Sequence, residues 1–380
     1  MSAEPPIVFG QPWFDEEEEQ LVLQTLRSLW IGQGPLVERF EHELGAYLDA
    51  RHVVAVSSCT AGLQLALVAA GIGPGDEVIT TPFTFVATVN SIVQTGASPV
   101  LVDIDRDTLS LSPDRVAEAI TERTKAIMPV HFGGRPLDSP AFAALADKHD
   151  LWIVEDAAHA IGAVAAGRRV GGLRHPRVLS VFSFYPNKNL ASAEGGAVAL
   201  EDDALADRVR TLRLHGLDVD AWKRYTENRY IPSLAVAPGF KYNWTDLQAA
   251  IALGQLAKLE GALAVREHLA SAYDERLADI EGIRLLDRGP SGLYWRHALH
   301  LYQVAVDGAP PRRDAVVGRL RERGIGAAVH YIGVNHHPQY RSETRYPASD
   351  WATSSLLTLP LHLHLSLSDV ERVVAELAAA

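Results

Sequence analysis

Between residues 53 and 200, short apolar runs alternate with helical patterns, and this alternation restricts the fold more than any other feature of the chain. The apolar runs read "VVAVSS", "VITT", "SPVLVDID", "KAIMPVH" and "LWIVED", with helical segments such as "TAGLQLALVAAG" between them. Strands that alternate with helices of this length predict an α/β domain with a mostly parallel sheet. Ligands of such domains bind beyond the carboxyl ends of the strands, so we expect functional side chains there.

The pattern changes after residue 245, where one long helical stretch, "TDLQAAIALGQLAKLEGALAVREHLASAYDERL", begins. Strand-like and helical segments follow it, among them "LYQVAV", "RRDAVVGRLRERG" and "SDVERVVAELAAA". We therefore predict two domains: residues 1–249 with the N-terminal segment and the large α/β domain, and residues 250–380 as a smaller α+β domain. A helix near residues 15–29 is expected to pack against the smaller domain, with "DEEEEQ" as its solvated first turn.

Composition excludes several classes of function. The 380 residues include 35 Lys and Arg against 47 Asp and Glu, a net charge of −12 that argues against a general nucleic-acid binder. The single cysteine, Cys59, permits no internal disulfide and favours a reducing compartment. The N-terminus has no signal-peptide pattern, and no apolar run reaches membrane-spanning length. We expect a cytoplasmic protein without a membrane partner.

Lys188 stands in an unusual context, "SFYPNKNL", directly after the apolar and aromatic residues of an expected buried strand. A lysine near apolar groups loses its proton more easily than a solvated one, because desolvation disfavours the ammonium ion. The neutral amine is a nucleophile for carbonyl groups. Lys188 is therefore a candidate for covalent chemistry with an aldehyde or a ketone.

Three further stretches end or follow predicted strands. In "IVEDAAHA", Asp156 could face a cationic ring nitrogen with His159 one turn further on, although a helix cap is the simpler interpretation. In "SSCTAGLQL", the amides of Thr60 and Ala61 could bind an anion at a helix N-terminus, although plain capping by Ser58 or Thr60 is the preferred interpretation of this stretch alone. In "TPFTFVATVN", Phe85 could cover a flat ring or belong to the core.

Together these features match the needs of pyridoxal 5′-phosphate (PLP). That cofactor requires a lysine for its aldehyde, an acid for its pyridine nitrogen, an aromatic face for its ring, and amides and hydroxyls for its phosphate. All four occur at predicted strand ends of one α/β domain.

The chain resembles the DegT/DnrJ/EryC1/StrS family of sugar aminotransferases. The shared motifs run in order from "SLWIGQGPLVERFE" through "GDEVITTPFTFVAT", "VEDAAHAIGA", "FSFYPNKNL" and "KYNWTDLQAAIALGQL" to "GIGAAVHY" and "LTLPLH". The resemblance implies the type I PLP-dependent transferase fold, with a mostly parallel seven-stranded sheet in the large domain and a smaller C-terminal α+β domain.

The resemblance also implies roles for individual residues. Lys188 forms the internal aldimine and later moves a proton between the substrate carbon and the cofactor. Asp156 pairs with the pyridine nitrogen, His159 lies near the 3-oxygen of the ring, and Phe85 stacks on the ring. The phosphate ligands implied by the family motifs are Thr60, Ala61, Ser183 and, from the neighbouring subunit, Asn243. The active unit would then be a homodimer with shared sites.

Two positions depart from the family pattern. The usual "SGTAAL" reads "SCTAGL", with Cys59 in place of a glycine, which is acceptable if the loop contributes its amides. The usual "SGWI" reads "SLWI", with Leu29 beside the substrate loop. The second change affects the shape of the expected sugar pocket.

Within the family, the motifs are most similar to those of enzymes that aminate C4 of nucleotide-linked 4-keto sugars, such as the UDP-4-amino-4-deoxy-arabinose branch. This branch implies L-glutamate as donor, 2-oxoglutarate as product and a ping-pong mechanism. Candidates for the sugar-nucleotide pocket are Trp30, Lys241, Tyr242, His330, Tyr331, His336 and Arg229, for each of which a structural role is an equal alternative. His362 and His364 in "HLHL" lack a third ligand, and we expect no metal site there.

Two alternatives to this function remain open. Relatives in the same family aminate 3-keto sugars, cyclitols or precursors of aromatic amino acids, and a cyclitol enzyme would not need to hold a diphosphate. Other relatives resemble regulators that keep the fold without the reaction. A regulator is disfavoured here by Lys188, Asp156 and the phosphate loop, and by the absence of a basic DNA-binding segment.

Overall fold

A computed structural model describes residues 5–218, 232–290, 292–308 and 310–379 of the chain. Its centre is a seven-stranded sheet with the spatial order β1-β9-β8-β5-β4-β2-β3. The strands of this sheet are β1 (His52–Val56), β2 (Glu77–Thr80), β3 (Ser98–Leu101), β4 (Thr124–Ile127), β5 (Trp152–Asp156), β8 (Val178–Ser183) and β9 (Gly196–Leu200). A separate two-stranded ribbon consists of β6 (Val164–Ala165) and β7 (Arg168–Arg169).

The large sheet is mostly parallel, as the alternating pattern of the sequence predicts. Strands β3, β2, β4, β5 and β8 pair in parallel, whereas β9 pairs antiparallel with both β8 and β1. Helices cover both faces: α1 (Glu16–Ser28), α2 (Pro35–Leu48), α3 (Cys59–Ala69), α4 (Val86–Gln94), α5 (Pro113–Ala119), α6 (Ser139–His149) and α7 (Asp203–Arg213). The central strands β8 and β9 are mostly apolar because both of their faces are buried. This is the type I fold of PLP-dependent transferases.

A second, three-stranded antiparallel sheet lies in the C-terminal part, with the order β10-β11-β12. Its strands and the C-terminal helices are β10 (Ile283–Leu285), β11 (Tyr302–Val306), β12 (Leu356–Leu359), α8 (Asp246–Ala257), α9 (Leu259–Leu277), α10 (Pro310–Glu322), α11 (Pro347–Ser355) and α12 (Leu367–Ala378). An apolar core joins this sheet to α9, α10 and α12. The domain boundary at residue 250 stays a prediction. None of the helices in the described ranges is both long enough and apolar enough to span a membrane.

The long helical stretch predicted after residue 245 is two helices. Helix α8 ends at Ala257, Lys258 leaves the helical conformation with φ −108° and ψ 7°, and α9 begins at Leu259. Helix α8 packs against α1 and α2, and α9 continues into the C-terminal core. The sequence pattern does not show this break, because the helical spacing of apolar residues resumes after a single residue.

The acidic run at the start of α1 is only partly solvated, contrary to the prediction. Glu18 is buried, where its carboxylate accepts hydrogen bonds from the backbone of Asp15 at 2.9 Å and from Gln255 Nε2 at 2.7 Å. Lys258 Nζ lies 2.8 Å from the same carboxylate. Helix α1 is therefore attached by a partly buried ion pair to Lys258, the residue between α8 and α9, while Glu16, Glu17 and Glu19 are exposed.

Helix α3 lies unusually close to the centre of the sheet. A Cβ atom on Gly62 would approach Val181 Cγ1 to 2.7 Å and Val56 Cγ2 to 3.2 Å. The missing side chain lets the helix rest on β1 and β8, and this contact fixes the height of the helix N-terminus above the strand ends.

We predict that Gly62→Ala destabilises the protein by about 1–2 kcal/mol. The added methyl group clashes with the sheet, and the cost of this overpacking exceeds the stability gained from the higher helix propensity of alanine. Gly318→Ala is the matched control, because the space around the Cβ position of this exposed α10 residue is open within 4 Å. That variant should gain roughly 0.5–1 kcal/mol. Urea unfolding measures both, and a stabilised Gly62→Ala protein would contradict the close packing.

Candidate active site

One cavity of about 410 Å³ lies at the carboxyl ends of the central strands. It brings together eight residues selected from the sequence: Lys188, Asp156, His159, Phe85, Thr60, Ser183, His330 and Tyr331. They come from the ends of β5 and β8, the starts of α3 and α4, and the loop that precedes α11. The topology of the parallel sheet explains the convergence, because separate crossovers deliver these segments to one edge.

Lys188 lies in the turn that follows β8, where its backbone N–H donates to the Tyr185 carbonyl at 2.8 Å. Burial lowers the pKa of its amine to about 8, and the nearby carboxylate of Asp156 offsets part of that shift. Its Nζ is 3.3 Å from Nε2 of His300. A substantial fraction of this amine is therefore neutral near physiological pH, the direction expected from the sequence.

Asp156 ends β5 with its carboxylate buried at the cavity. Its Oδ2 accepts a hydrogen bond from Thr88 Oγ1 at 2.7 Å, and its Oδ1 accepts from the Ala158 amide at 3.1 Å. Burial raises the pKa of the carboxyl group, whereas these two hydrogen bonds oppose the rise. A buried carboxylate held in this way gains strongly from a cationic partner, which is what a protonated ring nitrogen provides.

His159 is held in one tautomer by the backbone. Its Nδ1 accepts a hydrogen bond from the Gly133 amide at 3.2 Å, so in the neutral ring the proton resides on Nε2. Nε2 is 3.2 Å from the Tyr331 hydroxyl. Burial and the charge of Lys188 keep the pKa of His159 well below its usual value. His159 is therefore a neutral hydrogen-bond donor toward the cavity, and the φ of +65° at Gly133 is what allows the turn that locks it.

Phe85 is the N-cap residue of α4 and is 56% exposed, an unusual state for a phenylalanine beside a cavity. Its ring centroid lies 5.7 Å from that of Tyr331. The exposed face suits a flat aromatic ligand, and the alternative of a core residue is wrong for this position.

The N-terminus of α3 forms the expected small-residue loop, and Ser58 is its cap. The Ser58 hydroxyl accepts from the Ala61 amide at 3.1 Å, which decides between the two capping residues that the sequence allowed. Thr60 and Ser183 line the cavity, whereas Ala61 does not. The phosphate roles of Thr60, Ala61 and Ser183 stay predictions.

Three other selected residues lie apart from this cavity. Trp30, Lys241 and Asn243 line a separate surface hollow of about 330 Å³, together with Leu29. Leu29 is 87% exposed and has a φ of 62°, a conformation that a glycine adopts without strain. Asn243 therefore does not line the main cavity of its own chain, and its service to a neighbouring subunit stays a prediction.

The remaining selected residues have other surroundings. The Tyr242 hydroxyl donates to Gln64 Oε1 at 2.6 Å. His336 is exposed and its Nε2 lies 2.9 Å from Asp350 Oδ1, away from the residues that line either hollow. Arg229 lies outside the described residues. For these three, substrate contact stays a prediction without geometric support.

Among the described residues, His362 and His364 have no third side chain that would complete a metal site. Their Nε2 atoms are 3.1 Å from the backbone carbonyls of Val8 and Pro12 respectively, so both rings attach the N-terminal segment to the C-terminal part. In the described ranges, no group of three His, Cys, Asp or Glu side chains is arranged to hold a metal ion.

Sequence reasoning missed two residues of the site. Thr88 holds Asp156, and its position in the first turn of α4 could have indicated a side chain facing the strand ends. His300 contacts Lys188 from a segment 112 residues further along the chain, which no local pattern reveals.

Comparison with known proteins decides the family. The model of the DegT/DnrJ/EryC1/StrS aminotransferase family matches residues 12–378. The chain belongs to this family. It is a PLP-dependent sugar aminotransferase, as the motifs predicted.

Individual relatives agree over nearly the whole chain. The spore coat polysaccharide biosynthesis protein SpsC of Bacillus subtilis is 42% identical over 374 residues, which cover 96% of this chain and 95% of SpsC. Spr1654 of Streptococcus pneumoniae, named as a sugar aminotransferase and solved in its PMP form, superposes with a TM-score of 0.90 at 30% identity over 98% of both chains. DesI, solved in the presence of its TDP-sugar product, gives a TM-score of 0.88 at 31% identity over 99% of this chain and 93% of DesI.

The residues of the cavity fit PLP, the cofactor of this family. A buried lysine with a lowered pKa, a buried carboxylate, an exposed aromatic ring and a helix N-terminus surround one space. When bound, PLP supplies an aldehyde that bonds to amines and a protonated ring that withdraws electrons.

We predict that Lys188→Met stabilises the cofactor-free protein by roughly 2–3 kcal/mol at pH 7, because the folded protein then no longer buries an ammonium ion. The folded pKa of about 8 lies below the ordinary 10.5. The destabilisation by Lys188 is therefore complete below pH 8 and disappears as the pH rises to about 10.5, so the difference between variant and parent must shrink over that range.

Urea unfolding at pH 7 and at pH 9.5 measures this difference. Lys125→Met, on an exposed lysine of β4, is the control and should change stability by less than about 0.5 kcal/mol at either pH. A Lys188→Met protein that is less stable than the parent at pH 7 would contradict the burial of a charged amine.

Proposed function

We propose that the protein transfers the amino group of L-glutamate to the C4 ketone of a nucleotide-linked 4-keto sugar, by a ping-pong mechanism. The observation that carries this proposal is the pairing of Lys188 and Asp156 in one cavity, with the lysine pKa lowered to about 8. The relatives support a sugar acceptor: SpsC takes part in polysaccharide biosynthesis, and DesI was solved with a TDP-sugar product. With a single cysteine, the cytoplasm is the proposed compartment.

Each residue of the cavity has a proposed task. Lys188 binds the cofactor and, once released, carries a proton at Nζ between the substrate carbon and the cofactor. Asp156 keeps the pyridine nitrogen protonated, with its own position fixed by Thr88 and the Ala158 amide. His159 offers the proton on Nε2 to the 3-oxygen of the ring. Phosphate binding falls to the N-terminal amides of α3, whose partial positive charge attracts an anion, and to the hydroxyl groups of Thr60 and Ser183.

We propose that His330 and Tyr331 border the sugar in this cavity. Burial lowers the pKa of His330 to about 4, so it is neutral and offers hydrogen bonds without repelling the cationic Lys188. Tyr331 stands between Phe85 and His159, with its hydroxyl directed at the histidine. A neutral, aromatic lining suits an uncharged sugar ring better than an anionic one.

The second hollow is proposed to complete the site of a neighbouring subunit in a homodimer. It carries the exposed Lys241, a local positive charge on a chain of net charge −12, which suits the diphosphate of a sugar nucleotide. Asn243 would reach the partner's cofactor phosphate, and Trp30 would contact the substrate. Leu29, Ile31, Leu234 and Val236 expose apolar side chains that a subunit interface would cover.

Other keto substrates of the family remain the alternative. A 3-keto sugar on a nucleotide would use the same residues, whereas a cyclitol would not require Lys241. The branch that makes UDP-4-amino-4-deoxy-arabinose is one version of the C4 proposal. The following experiment tests both carrier nucleotides, UDP and dTDP.

The purified holoenzyme should show a visible absorption band that bleaches when L-glutamate is added. The band should return when a 4-keto sugar nucleotide follows, and Lys188→Ala should slow both steps at least ~10²-fold. Lys125→Ala is the matched control and should behave as the parent. Offering UDP- and dTDP-linked 4-keto and 3-keto sugars and a keto-cyclitol in turn separates the alternatives. If glutamate bleaches the band and none of the nucleotide sugars restores it, the proposed acceptor is wrong, whereas L-glutamate as donor is supported.

Shared sites predict complementation between two inactive variants. Lys188→Ala and Asn243→Asp, which places a negative charge against the phosphate, should each be inactive alone. Mixed dimers contain one intact site, so a subunit-exchanged equimolar mixture should regain about a quarter of the parent activity. If the mixture is no more active than its separate components, the proposal of shared sites is wrong: Asn243 then acts in the site of its own subunit or in no site at all.

A further inference from the structure

His300 is a buried histidine for which the proposed reaction has no role. Its Nε2 lies 3.3 Å from Nζ of Lys188, and its ring centroid is 4.4 Å from that of His159. Only 5% of the residue is exposed. It reaches Lys188 from the segment that leads into β11, so two distant parts of the chain meet at the reactive amine.

The segment around His300 is attached directly to the loop that carries Lys188. Asn189, the residue after the lysine, donates from Nδ2 to the Ala298 carbonyl at 2.6 Å. The Ala298 amide in turn donates to the Gly134 carbonyl at 2.8 Å, and the Leu301 amide donates to the Gly133 carbonyl at 3.1 Å. The Asn189 contact attaches this segment to the loop of Lys188, and the other two contacts attach it, on both sides of His300, to the turn at Gly133 and Gly134.

The backbone beside His300 is strained and held in place. Leu299 has a φ of 50°, a left-handed conformation that is unfavourable for a non-glycine residue. Its amide donates to His297 Nδ1 at 2.8 Å, and the buried Arg266 donates from Nη1 to its carbonyl at 3.1 Å. The same Nη1 lies 3.0 Å from the Leu361 carbonyl. Such strain persists where surrounding contacts require it, and here its result is the direction of His300.

We propose that His300 is a positioning residue that holds the amine of Lys188 by a hydrogen bond whenever that amine is not bonded to the cofactor. This inference rests on the proposed role of Lys188 as the amine that binds and leaves the cofactor. A lysine that has left the cofactor must stay beside the reacting carbon to move its proton, and a flexible four-carbon side chain needs an anchor to do so.

The donor and acceptor of this hydrogen bond follow from the chemistry of the two groups. An ammonium ion has only donors, so Nε2 of His300 accepts and the proton of the neutral imidazole is on Nδ1. Burial, together with the charge of Lys188, lowers the pKa of His300 well below its usual value, which keeps the ring neutral. No described residue forms a hydrogen bond with Nδ1. In the described part of the chain, no donor to Nδ1 therefore forces the proton onto Nε2.

Other groups around Lys188 act on its charge without that contact. Asp156 favours the ammonium ion electrostatically, and His159 and His330 are neutral neighbours. A hydrogen bond to the charged form raises a pKa. The hydrogen bond to His300 therefore opposes the fall in the pKa of Lys188 that burial causes. Removal of His300 should lower this pKa further.

The test is the pH dependence of Lys188 labelling in the full-length apoenzyme. Trinitrobenzenesulfonate reacts with neutral amines, and peptide mass spectrometry quantifies the label on Lys188 between pH 6 and pH 10. His300→Phe should lower the labelling midpoint by about one pH unit. His300→Gln, whose amide oxygen can accept the hydrogen bond, should return it close to the parent value. In the holoenzyme, His300→Phe should lower kcat for the glutamate half-reaction about tenfold with little change in KM.

Trp295→Phe is the control for a structural effect, because it changes a side chain of the same segment that contacts Arg135 and leaves both His300 and the hydrogen bonds of Leu299 in place. Its midpoint should match that of the parent. If His300→Phe does not fold, His300→Asn takes its place, since the shorter amide cannot reach Nζ and should shift the midpoint equally. An unchanged midpoint in the folded variant overturns the proposal. No sugar or amino donor enters the apoenzyme measurement, so a wrong substrate assignment would not alter its outcome.

Discussion

The burial of one amine at the carboxyl edge of the sheet is the interaction on which the rest of the structure depends. The pKa of Lys188 falls to about 8 because strands and helices remove it from water, and this destabilises the protein until a cofactor or proton loss relieves the charge. Asp156 is under the opposite constraint, since burial raises the pKa of its carboxyl. Two buried groups whose pKa values are shifted toward the neutral forms define a site prepared for a ligand that carries both an aldehyde and a cationic nitrogen.

The large sheet and the main cavity could be predicted from the sequence because each depends on local patterns. Apolar runs without alternation indicate strands buried on both faces, and polar residues at their ends indicate the ligand edge. Lys188, Asp156 and Phe85 follow such runs directly, so their convergence required only the general topology of parallel sheets. The family resemblance then supplied predictions that spacing does not, including a place for His159 beside the ring and the assignment of Asn243 to another subunit, and both stay predictions.

The features that the sequence did not predict arise from contacts between distant segments or from single backbone angles. The break at Lys258 and the burial of Glu18 depend on how α1 meets α8, not on periodicity. The tautomer of His159 depends on the direction of one amide, that of Gly133. The contact between His300 and Lys188 depends on a left-handed leucine and on a hydrogen bond from Asn189. Residue patterns do not encode such geometry, and only the folded chain displays it.

Reductive trapping of the holoenzyme tests the central claim most directly. Borohydride fixes the bond between the cofactor and its lysine, and peptide mass spectrometry then locates the modified residue. The account predicts a single pyridoxyl group on Lys188 in the parent and none in Lys188→Ala. A stable adduct on another lysine, or an unmodified Lys188 in protein that retains bound cofactor, would contradict the assignment of this buried amine as the reactive centre.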